Sequence, residues 1–192
     1  MKKVIIIGAS GNIATQVTDI LVKKNDINLT LFLRKKSRLR NSEASRCYII
    51  EGDVLNYEKL KEAISGQDIV YVNLAGDLGA MARNIIKAMK ETGVKRVIFT
   101  SSIGIYSNPV QQMLKPYREA ADIFESSNLE YTILRPTWFT NANEVDYELT
   151  RKRDPEKGSV ISQKSLATFI AKIIEEPWLY VNENLGINKP NS

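Results

Sequence analysis

The 192-residue chain has no histidine and a single cysteine, Cys47. Without histidine there can be no Ser-His-Asp triad, no imidazole metal ligand, and none of the commonest general base near neutral pH. One cysteine cannot close an intramolecular disulfide, and no Cys/His cluster has zinc spacing, so a reducing cytoplasmic setting is expected. Long hydrophobic runs are also missing. No apolar stretch approaches the ~20 residues of a membrane helix. Lys2-Lys3 followed by Val4–Ile7 has the polarity of a secretory leader. Its apolar part is too short, however, and Gly8 and Gly11 follow at once. Repeats, low-complexity tracts and interdomain linkers are lacking too, so one domain is expected over residues 1–192.

Charge is nearly balanced, 27 basic against 22 acidic residues for a net +5. Much of the excess sits in Arg34-Lys35-Lys36-Ser37-Arg38-Leu39-Arg40. No aromatic residue interleaves this segment and no nucleic-acid motif accompanies it, so nucleic acid is not an expected partner. Composition alone leaves open a solvated basic loop.

What the chain does have is alternation. Val4–Ile7 is a continuous apolar run, as in a strand buried on both faces. The spacing of Ile13, Val17, Ile20 and Leu21 predicts a helix over Asn12–Lys24. Further strands are predicted at Leu29–Leu33, Cys47–Ile50, Ile69–Asn73, Val97–Thr100 and Tyr131–Leu134. Between them lie predicted helices at Tyr57–Ile64, Ala80–Thr92 (closed by Gly93) and Tyr117–Ser126. Such alternation implies an α/β fold, a doubly wound parallel sheet in three layers. Beyond it, Val145, Tyr147 and Leu149 alternate like a strand, and Ser162 is placed to cap a helix over Gln163–Glu175, stopped by Pro177. Residues 137–192 are expected to form a small substrate-side region.

The first strand runs into Gly8-Ala9-Ser10-Gly11-Asn12-Ile13-Ala14. Gly8 permits a tight turn, Gly11 lets backbone approach a pyrophosphate, and Ala14 lets helix pack on strand. The helix start then offers free N–H groups and a positive dipole end to phosphate. This is the dinucleotide-binding turn of a Rossmann-type sheet, with Gly8, Ser10, Gly11, Asn12 and Ile13 as candidate contacts. NAD-binding units usually place a carboxylate at the end of the second strand to accept from the ribose 2′-OH. Here Leu33 is followed by Arg34 and Lys35. A guanidinium can grip a 2′-phosphate bidentately. NADP(H) is therefore the preferred cofactor, with NAD(H) possible. Arg34 is the leading contact, and Lys35 or Arg38 assists.

Together with that turn, Gly52-Asp53-Val54, Asn73-Leu74-Ala75-Gly76, Val97-Ile98-Phe99-Thr100-Ser101-Ser102 and Tyr131-Thr132-Ile133-Leu134-Arg135-Pro136 give the chain a family likeness. It resembles the atypical short-chain dehydrogenase/reductases, in particular the small NAD(P)H-binding group of NmrA-like proteins, biliverdin reductase B-like flavin reductases and bacterial NADH-flavin reductases. The resemblance implies that Asp53 and Val54 lie beside the adenine, and that Leu74, Ala75 and Gly76 border the adenosine ribose and diphosphate. It further implies that Thr100, Ser101 and Ser102 approach the nicotinamide, and that Pro136, Thr137 and Trp138 contact its carboxamide. Enzymes of the wider superfamily use a Tyr-x-x-x-Lys pair. The matching positions here hold Met113 and Tyr117. Tyr117 can still reach a ribose hydroxyl, and Tyr106 is another polar tip near the serines.

Carbonyl reduction needs a proton donor at the nascent alkoxide, and the resemblance leaves that role unfilled. Flavin- or quinone-like acceptors take hydride into a conjugated system and can draw a proton from water. They ask the protein mainly for orientation. The expected activity is thus NADPH-dependent hydride transfer to such an acceptor, with Ser102 and Tyr117 as catalytic candidates and Met113, Trp138 and Phe139 as an apolar wall. A non-catalytic NADP(H)-binding regulator of NmrA-like type is the alternative.

Overall fold

Val4, Ile5, Ile6 and Ile7 are all buried. A strand of that kind needs partners on both edges and a layer above and below. The computed structural model describes residues 1–40 and 42–192, with only the backbone of Ser42 and Glu43, and it supplies both. Strands β1 (Lys2–Ile7), β2 (Ile27–Leu33), β3 (Tyr48–Glu51), β4 (Ile69–Val72), β5 (Arg96–Thr100) and β6 (Glu130–Pro136) run parallel. The chain then adds β7 (Trp138–Thr140), β8 (Glu148–Arg151), β9 (Val160–Ser162) and β10 (Glu183–Asn188). The main sheet has the order β3-β2-β1-β4-β5-β6-β10-β8, and β7 pairs with β9 in a small second sheet.

Successive residues of β1 point to opposite layers. Val4 and Ile6 pack with helices α1 (Asn12–Leu21) and α5 (Gln163–Glu175). Ile5 and Ile7 pack with α2 (Tyr57–Ile64), α3 (Leu78–Thr92) and α4 (Lys115–Glu125). The result is the three-layer Rossmann-type architecture that the alternation predicts. Ile7 lies level with Phe32 of β2 and with Val72 of β4. The carboxyl ends of the strands therefore finish along one edge. The strand order reverses between β1 and β4, and at such a switch point the departing loops diverge and leave a crevice.

Three expectations are corrected. The sheet is not wholly parallel, since β8 runs antiparallel to β10 at the far edge. The helix predicted to Lys24 ends at Leu21, and the strand predicted around Val145 begins only at Glu148. β10 went unpredicted because its sequence, Glu-Asn-Leu-Gly-Ile-Asn, has only two large apolar residues. Leu185 and Ile187 face the α1/α5 layer, while Asn184 and Asn188 are buried through hydrogen bonds. By contrast Ser162 caps α5 as expected, its side chain accepting from the Ser165 amide.

One buried cation fastens the opposite edge of the sheet. Arg96 donates to the carbonyls of Pro177 (2.8 Å), Glu130 (2.9 Å) and Leu179 (3.1 Å) and to Thr132 Oγ1 (2.7 Å). Burial lowers its pKa to about 10, so it stays charged at neutral pH. Arg96→Met keeps the bulk but strands these acceptors. It should cost about 2–4 kcal/mol, lowering Tm by roughly 5–15 °C in thermal unfolding. Dinucleotide affinity should stay unchanged, because the cofactor crevice lies at the other end of the strands.

Candidate functional site

The crevice begins where β1 ends. Gly8 takes a φ of +84°, and a Cβ there would stand 2.1 Å from the Asn73 carbonyl oxygen. Only glycine meets both conditions. Gly8 N donates to Phe32 O (2.9 Å) and Gly11 N to Gly8 O (3.1 Å), so backbone alone closes the turn. α1 then starts with Gly11 as N-cap and no side-chain cap, whereas Asn56, Asp77 and Ser162 cap α2, α3 and α5. The first-turn N–H groups of α1 are left for an outside acceptor, at the positive end of the helix dipole.

A groove of about 430 Å³ runs past this helix start. Arg34, Arg38 and Asp53 line one end, Gly8, Gly11 and Leu74 the middle, and Tyr117, Phe139 and Gln163 the other end. It has a cationic end, an amide-rich centre and an aromatic, amide-bearing end. Those are the demands of a 2′-phosphate, a pyrophosphate and a flat ring, and the chain's residues fit a dinucleotide of that form.

Of the residues singled out from sequence, Gly8, Ser10, Gly11, Asn12, Ile13, Arg34, Asp53, Val54, Leu74, Ala75 and Tyr117 line the groove. One Asp53 carboxylate oxygen closes a turn on the Leu55 amide (2.9 Å). Lys35 is not in the wall: it caps the short turn Lys36–Arg38, which presents Arg38 instead. Gly76 is exposed with φ +113°, where the chain bends into α3. Thr100 points into the core, its Oγ1 3.1 Å from Tyr71 Oη, and burial pushes the Tyr71 phenol well up. Ser101 is buried with its hydroxyl 3.5 Å from the Tyr117 carbonyl oxygen, and half-buried Ser102 donates to Ile103 O (3.1 Å). Pro136 and Thr137 are buried, and Thr137 Oγ1 has no hydrogen-bond partner.

The expected apolar wall is only partly there. Phe139 lines the groove, but Trp138 is 74% exposed and Met113 68%, both outside it. Tyr106 does not face the groove either. It is drawn to the far side of β6, where Arg118 and Lys152 lie over its ring and Asn184 donates to its hydroxyl (2.8 Å).

Among the lining residues that the sequence did not mark as contacts, Asn73 and Gln163 bring polar side chains to the walls. Asn73 follows β4, and a Cβ at Gly11 would stand 2.4 Å from its Nδ2, so Asn73 braces both glycines of the turn. Gln163 opens α5, accepts from Gln16 (3.1 Å) and donates to Asn141 (3.0 Å). Both stand just past strand ends, which is the one signal that marked them. Among the described residues no group of three or more His, Cys, Asp or Glu could hold a metal ion, and no helix is long and apolar enough to cross a membrane.

The family described as NAD(P)H-binding matches residues 8–177. The chain belongs to that family. It is 47% identical to a Rossmann-fold NAD(P)-binding family protein from Shigella flexneri, covering 100% of this chain and 95% of that one, with a TM-score of 0.94. A short-chain dehydrogenase/reductase from Veillonella parvula, solved in complex with NADP, is 28% identical with a TM-score of 0.88, covering 99% and 95%. Isoflavone reductase from Pisum sativum is 25% identical over 99% of this chain and 71% of its own length. The chain is thus an NAD(P)H-binding, oxidoreductase-like protein with reductases among its relatives.

Gly11→Asp would set a carboxylate at the open helix start and against Asn73. Titration calorimetry should show NADPH affinity falling at least about a hundredfold, consistent with loss of charge-assisted phosphate contacts. Circular dichroism should remain that of the folded protein.

Proposed function

We propose that the protein is an NADPH-dependent reductase that passes hydride to a flat, conjugated acceptor of the flavin or quinone class. The observation that carries this reading is the groove itself: an uncapped helix start flanked by Arg34 and Arg38 on one side and by Tyr117, Phe139 and Gln163 on the other. The NADP-bound Veillonella relative supports the cofactor, and the isoflavone reductase supports the reaction type.

When bound, the reduced dinucleotide supplies the hydride. Arg34 and Arg38 would hold the 2′-phosphate, with Asp53 and Val54 beside the adenine. The N–H groups of Asn12 and Ile13 would hold the diphosphate, with Leu74 and Ala75 closing that wall. Tyr117 would hold a ribose hydroxyl, while Ser101, Ser102 and Thr137 orient the reacting end. Lys35, Gly76, Thr100, Pro136 and Trp138 are not among the residues that line the groove. Phe139 offers an acceptor ring an apolar face at the open end. On the alignment the resemblance gives, Met113 and Tyr117 stand where the superfamily has its tyrosine–lysine pair, and neither fits that role. That feature favours acceptors that collect their proton from water, and it is also what a non-catalytic, cofactor-sensing regulator would show.

Arg34→Ala and Arg38→Ala should each weaken NADPH binding by roughly ten- to a hundredfold, one charged hydrogen bond being worth about 1.5–3 kcal/mol. NADH binding should hardly change. Calorimetry with both cofactors checks this, and equal loss of both would remove the 2′-phosphate assignment.

Mixing the protein with NADPH and FMN or a small quinone should bleach the near-ultraviolet absorbance of the reduced cofactor, while simple ketones should react little. Ser102→Ala and Tyr117→Phe should each slow turnover by about tenfold or less, because a dedicated acid-base group is worth about 10²–10⁴-fold. A collapse of several thousandfold in either variant would reveal a true proton donor. Tight cofactor binding with no oxidation by any such acceptor would favour the regulator.

A further inference from the structure

The edge of the sheet beyond β6, strands β10 and β8, is built differently from the rest. On the α2–α3–α4 side, β1, β4, β5 and β6 pack apolar side chains under helices. On the same side β10 presents Asn184, Gly186 and Asn188, because Leu185 and Ile187 point the other way. Asn184 is met there by Tyr106 and Glu125, and Asn188 by a strap, residues 152–159, every one of them exposed. Its contact is close: a Cβ at Gly158 would stand 2.4 Å from Asn188 Nδ2.

Under the strap lies Arg135 of β6, 1% exposed. Its Nε donates to Asn184 Oδ1 (2.9 Å) and its Nη1 pairs with Glu156 Oε1 of the strap. The other oxygen of the same carboxylate accepts from the backbone amide of Gly104 (3.0 Å). Glu156 therefore bridges a guanidinium fixed in the sheet and the turn that leaves β5. Upstream, Ser101 N donates to Leu134 O (2.7 Å) and Ile103 N to Pro136 O (3.0 Å), so the turn follows β6 as far as Ile103. Gly104, with φ +81°, is where it departs, and Glu156 grips it there. Arg135, unlike Arg96 with its ring of carbonyls, meets its buried charge with a carboxylate, and removing that partner would leave the charge uncompensated. The need of one residue thus immobilises the carboxylate that holds another.

We propose that Glu156 is a positioning residue, holding the Ser101–Gly104 turn that backs the groove-lining Tyr117. The role rests on the reductase reading above. The turn carries Ser102 and meets Tyr117 through Ser101, so its place sets the geometry of the reacting end without touching the phosphate end. Lys152 steadies the strap at its start, with Nζ 2.5 Å from Glu125 Oε2 and 4.7 Å from the centre of the Tyr106 ring.

The test compares wild type, Glu156→Gln and Glu156→Ala in the full chain. Glutamine replaces one of the two acceptor oxygens with an NH2 group, which sets donor against donor at either Arg135 or Gly104. In Glu156→Gln, amide hydrogen exchange over residues 102–107 should quicken about tenfold, a loss of about 1.4 kcal/mol. Exchange in β1 and β4 should not change. Turnover with FMN or a small quinone should fall about tenfold with NADPH affinity unchanged, a kcat effect that general loosening would not confine to one end of the groove. In Glu156→Ala, sodium formate should restore both protection and turnover, with sodium chloride at equal concentration as control. If alanine does not fold, the glutamine variant carries the test. Unchanged exchange at 102–107 overturns the hold on the turn. Quickened exchange with unchanged turnover overturns the positioning role and leaves a structural ion pair. If the wild type itself turns over no acceptor, the reductase reading fails and the positioning role falls with it. The exchange measurement still decides whether Glu156 holds the turn.

Discussion

At Gly8 the backbone swings to φ +84° with the Asn73 carbonyl oxygen standing 2.1 Å from where a Cβ would be. The end of β1 and the end of β4 are in direct backbone contact, and the rest of the site follows from it. The contact fixes where the chain enters α1. It also fixes which way the first-turn N–H groups of α1 point, and where the crevice between the diverging loops lies. Parallel pairing makes the contact reproducible, because Ile7 sits level with Val72. The buried apolar residues of both strands leave no alternative register in which they stay covered. Sequence, sheet and ligand site are joined at this one turn.

The groove is polarised along its length. Among the described residues of the wall, the one carboxylate near Arg34 and Arg38 at the end of β2 is Asp53, which is already half occupied by the Leu55 amide. The opposite end has amide and aromatic groups and no lysine or arginine in its wall. A ligand with its excess negative charge at one end and a flat ring at the other can lie in only one direction. Such a ligand would be oriented by electrostatics at the cationic end, independently of the aromatic one.

The first two-thirds of the fold was legible in the sequence because its strands are apolar on both faces and its helices on one. Val4–Ile7, Ile69–Val72 and the α3 stripe cannot be satisfied in many ways. Glycine chemistry marked Gly8 and Gly11 for the same reason: few residues tolerate those positions. Legibility fails beyond β6. β10 is buried through asparagines, and hydrogen bonding has no hydrophobic period to read. Trp138 looked like a wall and faces solvent, since β7 belongs to a small second sheet whose position no local pattern encodes. Tyr106 looked like a groove residue and is instead held among Arg118, Lys152 and Asn184, partners that lie 12, 46 and 78 positions away. Gln163 was missed because its meaning comes from Gln16 and Asn141, which are distant in sequence too.

The two halves of the molecule thus rely on different physics. Apolar packing under helices holds the strands that position the cofactor groove. Substitutions there carry cavity costs that spread through a close-packed core. A network of charged and amide side chains under an exposed strap holds the substrate half. Such a network is specific in geometry, because each buried polar atom must find its own partner. It is also local: the Arg135–Glu156–Gly104 bridge shares no hydrogen bond with the glycine turn. The strap can therefore change while β1, β4 and the α1 start keep their register. A fold arranged in this way separates the crevice at the strand ends from the polar network beyond β6, so that either can vary without the other.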